Sequence, residues 1–252
     1  MLTQNEVEKY NEDGYLIPNF TMPEKELLEI EELHNSLIKK FPKFKNYCPA
    51  LLLHDERFLK YCFNNEILNI IEQLIGKNFA LWNSSFFAKP AFNGYATPWH
   101  QDGQYWPIRP LATCSVWLAV DAANEENGCL KYIPGSHKRK STRKHNTNND
   151  INYTLNQELD PSEFDEKDAY SLCLEEGQMA LHDVYIVHGS GINVSANSRR
   201  GMTMRYMPTS STFDRKLAVE QDKVFRLDHV NRTLFLMNGI DESGTNDFII
   251  RS

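Results

Sequence analysis

Seven short runs rich in aromatic and β-branched residues, at positions 80–88, 97–102, 113–121, 129–133, 178–181, 184–188 and 202–208, are separated by Pro, Gly and Asn. Runs of this length and composition read as strands. They follow a first third whose signals are helical: Thr3-x-x-Glu6 and Thr21-x-x-Glu24 have the form of capping boxes, and Pro23 suits a first helical position. Residues 25–40 place Leu27, Leu28, Leu33, Leu37 and Ile38 mostly on one face, and a helix over 66–75 would end at Gly76. Many short strands after a helical preface predict a mainly β chain with flanking helices, an antiparallel sandwich or barrel.

With 252 residues and no linker-like stretch between positions 60 and 210, a single domain is expected. Residues 1–78 would be helical support and 79–210 the β core. Within that core, residues 136–168 are strongly polar and lack an apolar period, which predicts a loop, either an active-site lid or a solvated excursion. The net charge of −7 argues against a surface that grips phosphate backbones. No run reaches the length of a membrane span, and the start MLTQNEVEKYNEDG does not resemble a signal segment. The expectation is a cytoplasmic protein, monomer or homodimer, whose partner is a small molecule and not nucleic acid or membrane. Cys48, Cys62, Cys114, Cys129 and Cys173 lack the paired spacing of a disulfide framework and read as reduced core residues.

Chemistry concentrates at Trp99-His100-Gln101-Asp102-Gly103. A His and a carboxylate two apart on a strand share a face, and with one further His they form the 2-His-1-carboxylate set of non-haem iron oxygenases. His188 supplies that third ligand: it ends an apolar run, and a small-residue turn leads to Arg199, eleven positions on. Such a turn lets the chain reverse, placing Arg199 on the neighbouring strand and in the same cavity. A buried guanidinium is costly without an acceptor, and a dicarboxylate such as 2-oxoglutarate provides one. The metal ligands are therefore expected to be His100, Asp102 and His188, with Fe(II), 2-oxoglutarate and O2 as cofactor and cosubstrates. A zinc hydrolase with the same ligands plus water, and a silent jelly-roll domain that binds without turnover, are the rival readings.

The motifs WHQDGQYWPIRP (99–110), Trp117, NGCLKYIPGSH (127–137) and VHGSGINVSANSRRGMTMRY (187–206) occur in an order that resembles the phytanoyl-CoA dioxygenase family, over residues 79–208. The resemblance implies a double-stranded β-helix, or jelly roll, with the same three iron ligands and Arg199 on the tail carboxylate of 2-oxoglutarate. It further implies that Ser190 adds a hydroxyl to that carboxylate and that Trp117 lines the cosubstrate pocket. Asp102 favours hydroxylation, since related halogenases lack the carboxylate there. Gln178 departs from the Asp many relatives carry, and residues 1–78 contribute no motif. His182 is expected to be a hydrogen-bonded neighbour of the ligands, and His137 to be no ligand.

Substrate contacts are expected from Tyr105, Trp106 and Arg109 after the iron motif, and from Asn83 and Lys89, which alternate with Ser85 and Phe87 on one strand face. An Arg and a Lys among aromatics suit a small polar or anionic metabolite hydroxylated at a C–H, with release of succinate and CO2. An acyl-CoA is the alternative substrate class within the family.

Overall fold

The computed structural model describes residues 1–225 and 227–250. Helix α1 (Gln4–Asp13) opens with the reciprocal capping box of Thr3 and Glu6 and closes at left-handed Gly14. Helix α2 (Glu24–Lys40) departs from expectation. Its N-cap is Pro23, which offers no side-chain cap, and Thr21 lies outside the helix. The residue before a proline is forced out of helical conformation, and the Met22 N–H donates instead to the Gly177 carbonyl at 2.9 Å. Helix α3 (Asn65–Ile75) is capped by Asn64 and ends at Gly76.

The strands are β1 (Phe79–Lys89), β2 (Thr97–His100), β3 (Cys114–Ala119), β4 (Leu130–Ile133), β5 (His145–Thr147), β6 (Gln157–Leu159), β7 (Tyr170–Leu172), β8 (Met179–Asp183), β9 (Val187–Ser190), β10 (Arg199–Pro208) and β11 (Phe235–Asn238), with shorter pieces between them. A larger sheet runs β8-β3-β10-β1-β11, and a smaller one β7-β4-β9-β2, with antiparallel neighbours. The two form a jelly roll. Helix α4 (Arg215–Phe225) and β11 lie where no element was read from the sequence.

The larger sheet divides its residues by alternation. In β10, Met202, Met204 and Tyr206 join Val116, Leu118, Phe86 and the buried face of α2 and α3 in the main core. The intervening Arg199, Thr203 and Arg205 point the other way, into the space between the sheets, with Phe87 and Trp117. The helices thus cover the apolar side of the sheet, and the lumen of the jelly roll is polar.

The polar stretch 136–168 is built into the fold. Strands β5 and β6 pair as a hairpin, and its basic residues meet acids, as in Lys144–Asp160 at 2.7 Å and Arg139–Glu163 at 3.0 Å. Its backbone also reaches the iron motif, where Arg143 N–H donates to Gln101 Oε1 at 2.6 Å. Cys48, Cys62, Cys114 and Cys129 are buried as expected, but Cys173 is exposed, because the chain has left β7 for the surface there. No helix among the described residues is long and apolar enough to cross a membrane.

On α2, His34 is buried with neither ring nitrogen hydrogen-bonded, its ring stacked on Phe86 at 4.0 Å. Burial, aided by Arg200, lowers its pKa from 6.5 to about 4. As pH falls, the unfolded chain takes up this proton first, so the stabilising contribution is complete above about pH 6.5 and is lost towards pH 4. From this group alone, stability should fall by about 2 kcal/mol between pH 7 and pH 5, a loss read by urea unfolding. His34→Leu should flatten that part of the profile; an unchanged slope would count against the buried neutral imidazole.

Candidate metal centre

In the smaller sheet His188 on β9 pairs directly opposite His100 on β2, and the rings lie 4.2 Å apart. Each ring is held through Nδ1, His100 on the Pro98 carbonyl at 2.8 Å and His188 on the Ile186 carbonyl at 3.1 Å. A carbonyl only accepts, so Nδ1 carries the hydrogen and Nε2 keeps a free lone pair on both rings. Burial and the neighbouring His100 hold the His188 pKa well below the ordinary imidazole value, so that ring is neutral.

Asp102 stands not on the strand but at the start of a 3-10 turn, Asp102–Gln104. The shared strand face expected for His100 and Asp102 is therefore replaced by a turn, and Gln101 sets it. Its fully buried side chain donates to the Tyr185 carbonyl at 2.6 Å and accepts from the Arg143 N–H. This brings Asp102 Oδ1 to 3.6 Å from His100 Nε2 and 4.0 Å from His188 Nε2. The three ligand atoms lie within 4.8 Å of one another. Burial opposes the charge of Asp102, but the hydrogen bond from His182 and the nearby charge of Arg205 hold its pKa well below the carboxylate range.

The other carboxylate oxygen, Oδ2, lies 3.3 Å from His182 Nε2, and His182 Nδ1 lies 2.9 Å from the Tyr132 hydroxyl. His182 thus supports the carboxylate from behind. His137 sits elsewhere, 3.0 Å from the Asn11 carbonyl. Two imidazole Nε2 atoms and one ionised carboxylate gathered on one face fit Fe(II).

Arg199 lines the same cavity as His100, Asp102 and His188, but by a different route from the one expected. Strands β9 and β10 belong to opposite sheets, so residues 191–198 carry the chain across the sandwich, not to a neighbouring strand. The Arg199 guanidinium is 1% exposed; Nε and Nη2 donate to the Gly128 carbonyl at 3.1 and 2.7 Å, and Nη2 lies 3.5 Å from Ser190 Oγ. Its Nη1 has no acceptor, and among the described residues no carboxylate pairs with it. Trp117 covers the guanidinium at 5.2 Å, with its own indole N–H unsatisfied. A buried cation with an unused donor is a fitted receptor for a carboxylate.

The substrate residues read from the sequence divide. Asn83, Tyr105 and Trp106 line a small cavity that Asp102 and Arg205 also line. Lys89 and Arg109 do not reach it. The Lys89 ammonium is buried on the Tyr95 and Gly191 carbonyls, bracing the loop that follows β9. Arg109 is exposed and bonds the Trp106 and Ile108 carbonyls at 3.1 and 2.6 Å, which corrects both assignments to framework roles. Gln101, Arg205 and Arg232 went unread. Arg205 was accessible, since it lies six residues after Arg199 on one strand and so on the same face.

A family model described as phytanoyl-CoA dioxygenase (PhyH) matches residues 1–201. A "phytanoyl-CoA dioxygenase domain-containing protein 1 homolog" from Dictyostelium discoideum is 30% identical over 159 residues, covering 62% of this chain and 57% of that protein. The peroxisomal phytanoyl-CoA dioxygenase of Homo sapiens is 25% identical over 235 residues, covering 82% and 68%. The chain thus spans little more than half the length of the first of these relatives. Among solved structures, the non-heme monooxygenase ThoJ superposes with a TM-score of 0.75 at 20% identity, covering 98% of this chain and 87% of that one. EvdO2 from Micromonospora carbonacea, complexed with 2-oxoglutarate, gives 0.67 at 20% identity, covering 82% and 91%. These two share the fold.

Gly201 lets Trp117 lie against β10, because a Cβ there would stand 2.1 Å from the indole. Gly201→Ala should therefore displace the ring and cost about 1–3 kcal/mol by overpacking, seen as a lower unfolding midpoint and altered tryptophan fluorescence. Wild-type values for both would contradict this packing.

Proposed function

Because this chain belongs to the phytanoyl-CoA dioxygenase family, we propose that it is an Fe(II)- and 2-oxoglutarate-dependent dioxygenase that hydroxylates a C–H bond of a small polar or anionic metabolite, releasing succinate and CO2. The observation that carries this reading is the convergence on one cavity of three metal-binding atoms and a buried guanidinium with an unused donor. His100, Asp102 and His188 would hold the iron. Bound there, iron supplies the oxidative decarboxylation of 2-oxoglutarate by O2 and the oxidation of the substrate C–H.

The remaining steps belong to the chain. Arg199 and Ser190 would take the distal carboxylate of 2-oxoglutarate and so aim its other end at the metal face. Trp117 walls that pocket and would keep water from the ion pair. The carbonyls of Pro98 and Ile186 hold both imidazoles in the tautomer that presents Nε2. His182, steadied by Tyr132, fixes the rotation of the Asp102 carboxylate.

A small substrate is favoured by the cavity outside the site, about 410 Å³, lined by Thr147, Asn148, Asn156 and other polar groups and sharing Tyr47, Tyr105, Leu155 and Leu227 with the inner cavity. The larger depression of about 980 Å³ lies among helical segments, around Glu29 and Lys60, which pair with each other. It contains none of the ligands.

Anaerobic protein given Fe(II) and 2-oxoglutarate should develop a weak visible charge-transfer band. Under O2, a panel of small metabolites, with an acyl-CoA as a further arm, should show substrate-dependent succinate release. No band and no succinate would favour a silent domain, and activity with zinc alone would favour a hydrolase. His100→Ala and Asp102→Ala should abolish iron binding and turnover. Arg199→Ala should keep iron but raise the 2-oxoglutarate requirement on the order of a hundredfold, as expected for a buried charge pair; full turnover by Asp102→Ala would overturn that ligand assignment.

A further inference from the structure

Two further arginines are buried beside the metal face, and neither has an acidic partner among the described residues. Arg205 is 5% exposed. Its Nη1 donates to Ser85 Oγ at 2.6 Å and Thr203 Oγ1 at 2.9 Å, and its Nε has no acceptor. The guanidinium lies between the rings of Trp106 and Phe87, at 5.2 and 5.9 Å. Arg232, also 5% exposed, donates to the Pro49 and Leu227 carbonyls at 2.9 and 2.8 Å, to His229 Nδ1 at 3.1 Å and to Asn83 Oδ1. All these acceptors are neutral.

Both guanidiniums line the inner cavity that Asp102, Asn83, Tyr105 and Trp106 also line. Arg205 and Asp102 additionally line the adjoining cavity that holds Arg199 and Ser190. Asp102 is the one carboxylate lining either of them, and its two oxygens face the metal-binding imidazoles and His182. His229, its pKa lowered to about 2 by burial and by Arg232, adds no charge of its own at neutral pH. Two carboxylates of 2-oxoglutarate would be matched by the metal and Arg199. Arg205 acts on Asp102, and Asp222 and Asp228 act on Arg232, but neither arginine is ion-paired, and a buried cation is costly until an anion reaches it.

We propose that Arg205 and Arg232 form the receptor for an anionic group of the primary substrate, a carboxylate or a phosphonate, in the cavity that Asp102 shares with Asn83, Tyr105 and Trp106. This rests on the oxygenase reading of the site and sharpens it, replacing the Lys89 and Arg109 read from the sequence with two residues that do face the cavity. The substrate would enter past Tyr105 and Leu227, which line both the outer and the inner cavity. Its anion would stop at the arginines, and its neighbouring carbons would lie at the metal face. The forked donors of arginine suit both anions, and Arg205 keeps one donor unused for either.

The test is calorimetric titration of the anaerobic protein, with Fe(II) and 2-oxoglutarate and again without metal, using propionate, methylphosphonate and the neutral propionamide. Wild type should bind one of the anions at least tenfold more tightly than propionamide, and whichever of the two is preferred identifies the group. Arg205→Gln and Arg232→Gln should remove that preference while changing the 2-oxoglutarate affinity by less than about threefold. Arg199→Gln should do the reverse, and Arg109→Gln should change neither. Equal binding of propionate, methylphosphonate and propionamide by wild type overturns the proposal, even where an arginine variant does not fold. So does full anion binding by Arg205→Gln, which would place the anion on the metal, and so does loss of 2-oxoglutarate in both Arg199→Gln and Arg205→Gln, which would give Arg205 to the cosubstrate. The charge-transfer band of the same samples reports the oxygenase reading separately. A preference for anions without that band would leave the receptor standing and the activity refuted.

Discussion

The antiparallel pairing that sets His188 opposite His100 governs the rest of the site. Side chains on a strand alternate, so a slip of one residue between β9 and β2 would turn one imidazole out of the lumen and leave no metal face. Each Nδ1 is then held locally, by the Pro98 or Ile186 carbonyl two residues before its own ring, which fixes where each Nε2 points. Asp102 needs a second device, because it stands beyond the end of the strand. The buried Gln101 amide provides it, tying the turn to the polar hairpin segment and to the Tyr185 carbonyl.

Around that pairing the jelly roll is arranged with its polarity inward. The larger sheet gives its apolar side to the helices and its polar side, with Arg199 and Arg205, to the lumen. Guanidiniums held in such a space by neutral acceptors weigh against the stability of the fold, and the apolar core under α2 and α3 offsets them. A ligand that brings negative charge relieves this cost only in the folded state, so binding and folding stability are linked. In the proposed reading each anion has its own address: Arg199 behind Trp117, and Arg205 with Arg232 behind Tyr105.

Much of this was legible in the sequence where pattern and chemistry coincide. Alternating apolar runs marked the core strands, and His100, Asp102, His188 and Arg199 do converge on one cavity. What failed was the step from spacing to path. Small residues after His188 signal a reversal, but not that the chain crosses to the opposite sheet before Arg199. A proline near a threonine looked like a capped helix start, although Pro23 takes the cap position itself. Lys89 was rightly placed on an inward face, yet its long stem carries the ammonium to two loop carbonyls. Arg232 follows α4, beyond the last strand read from the sequence, and its approach to Asn83 spans 149 positions of the chain.

The central claim is that this site couples 2-oxoglutarate to O2 through the metal held by His100, Asp102 and His188. Incubating the Fe(II)-loaded protein with 2-oxoglutarate and the metabolite that supports turnover under isotopically labelled O2, and weighing the succinate formed, tests it most directly. The account predicts succinate carrying one labelled oxygen, formed only with Fe(II) present and lost in Asp102→Ala. Unlabelled succinate, or the same yield without O2, would contradict it.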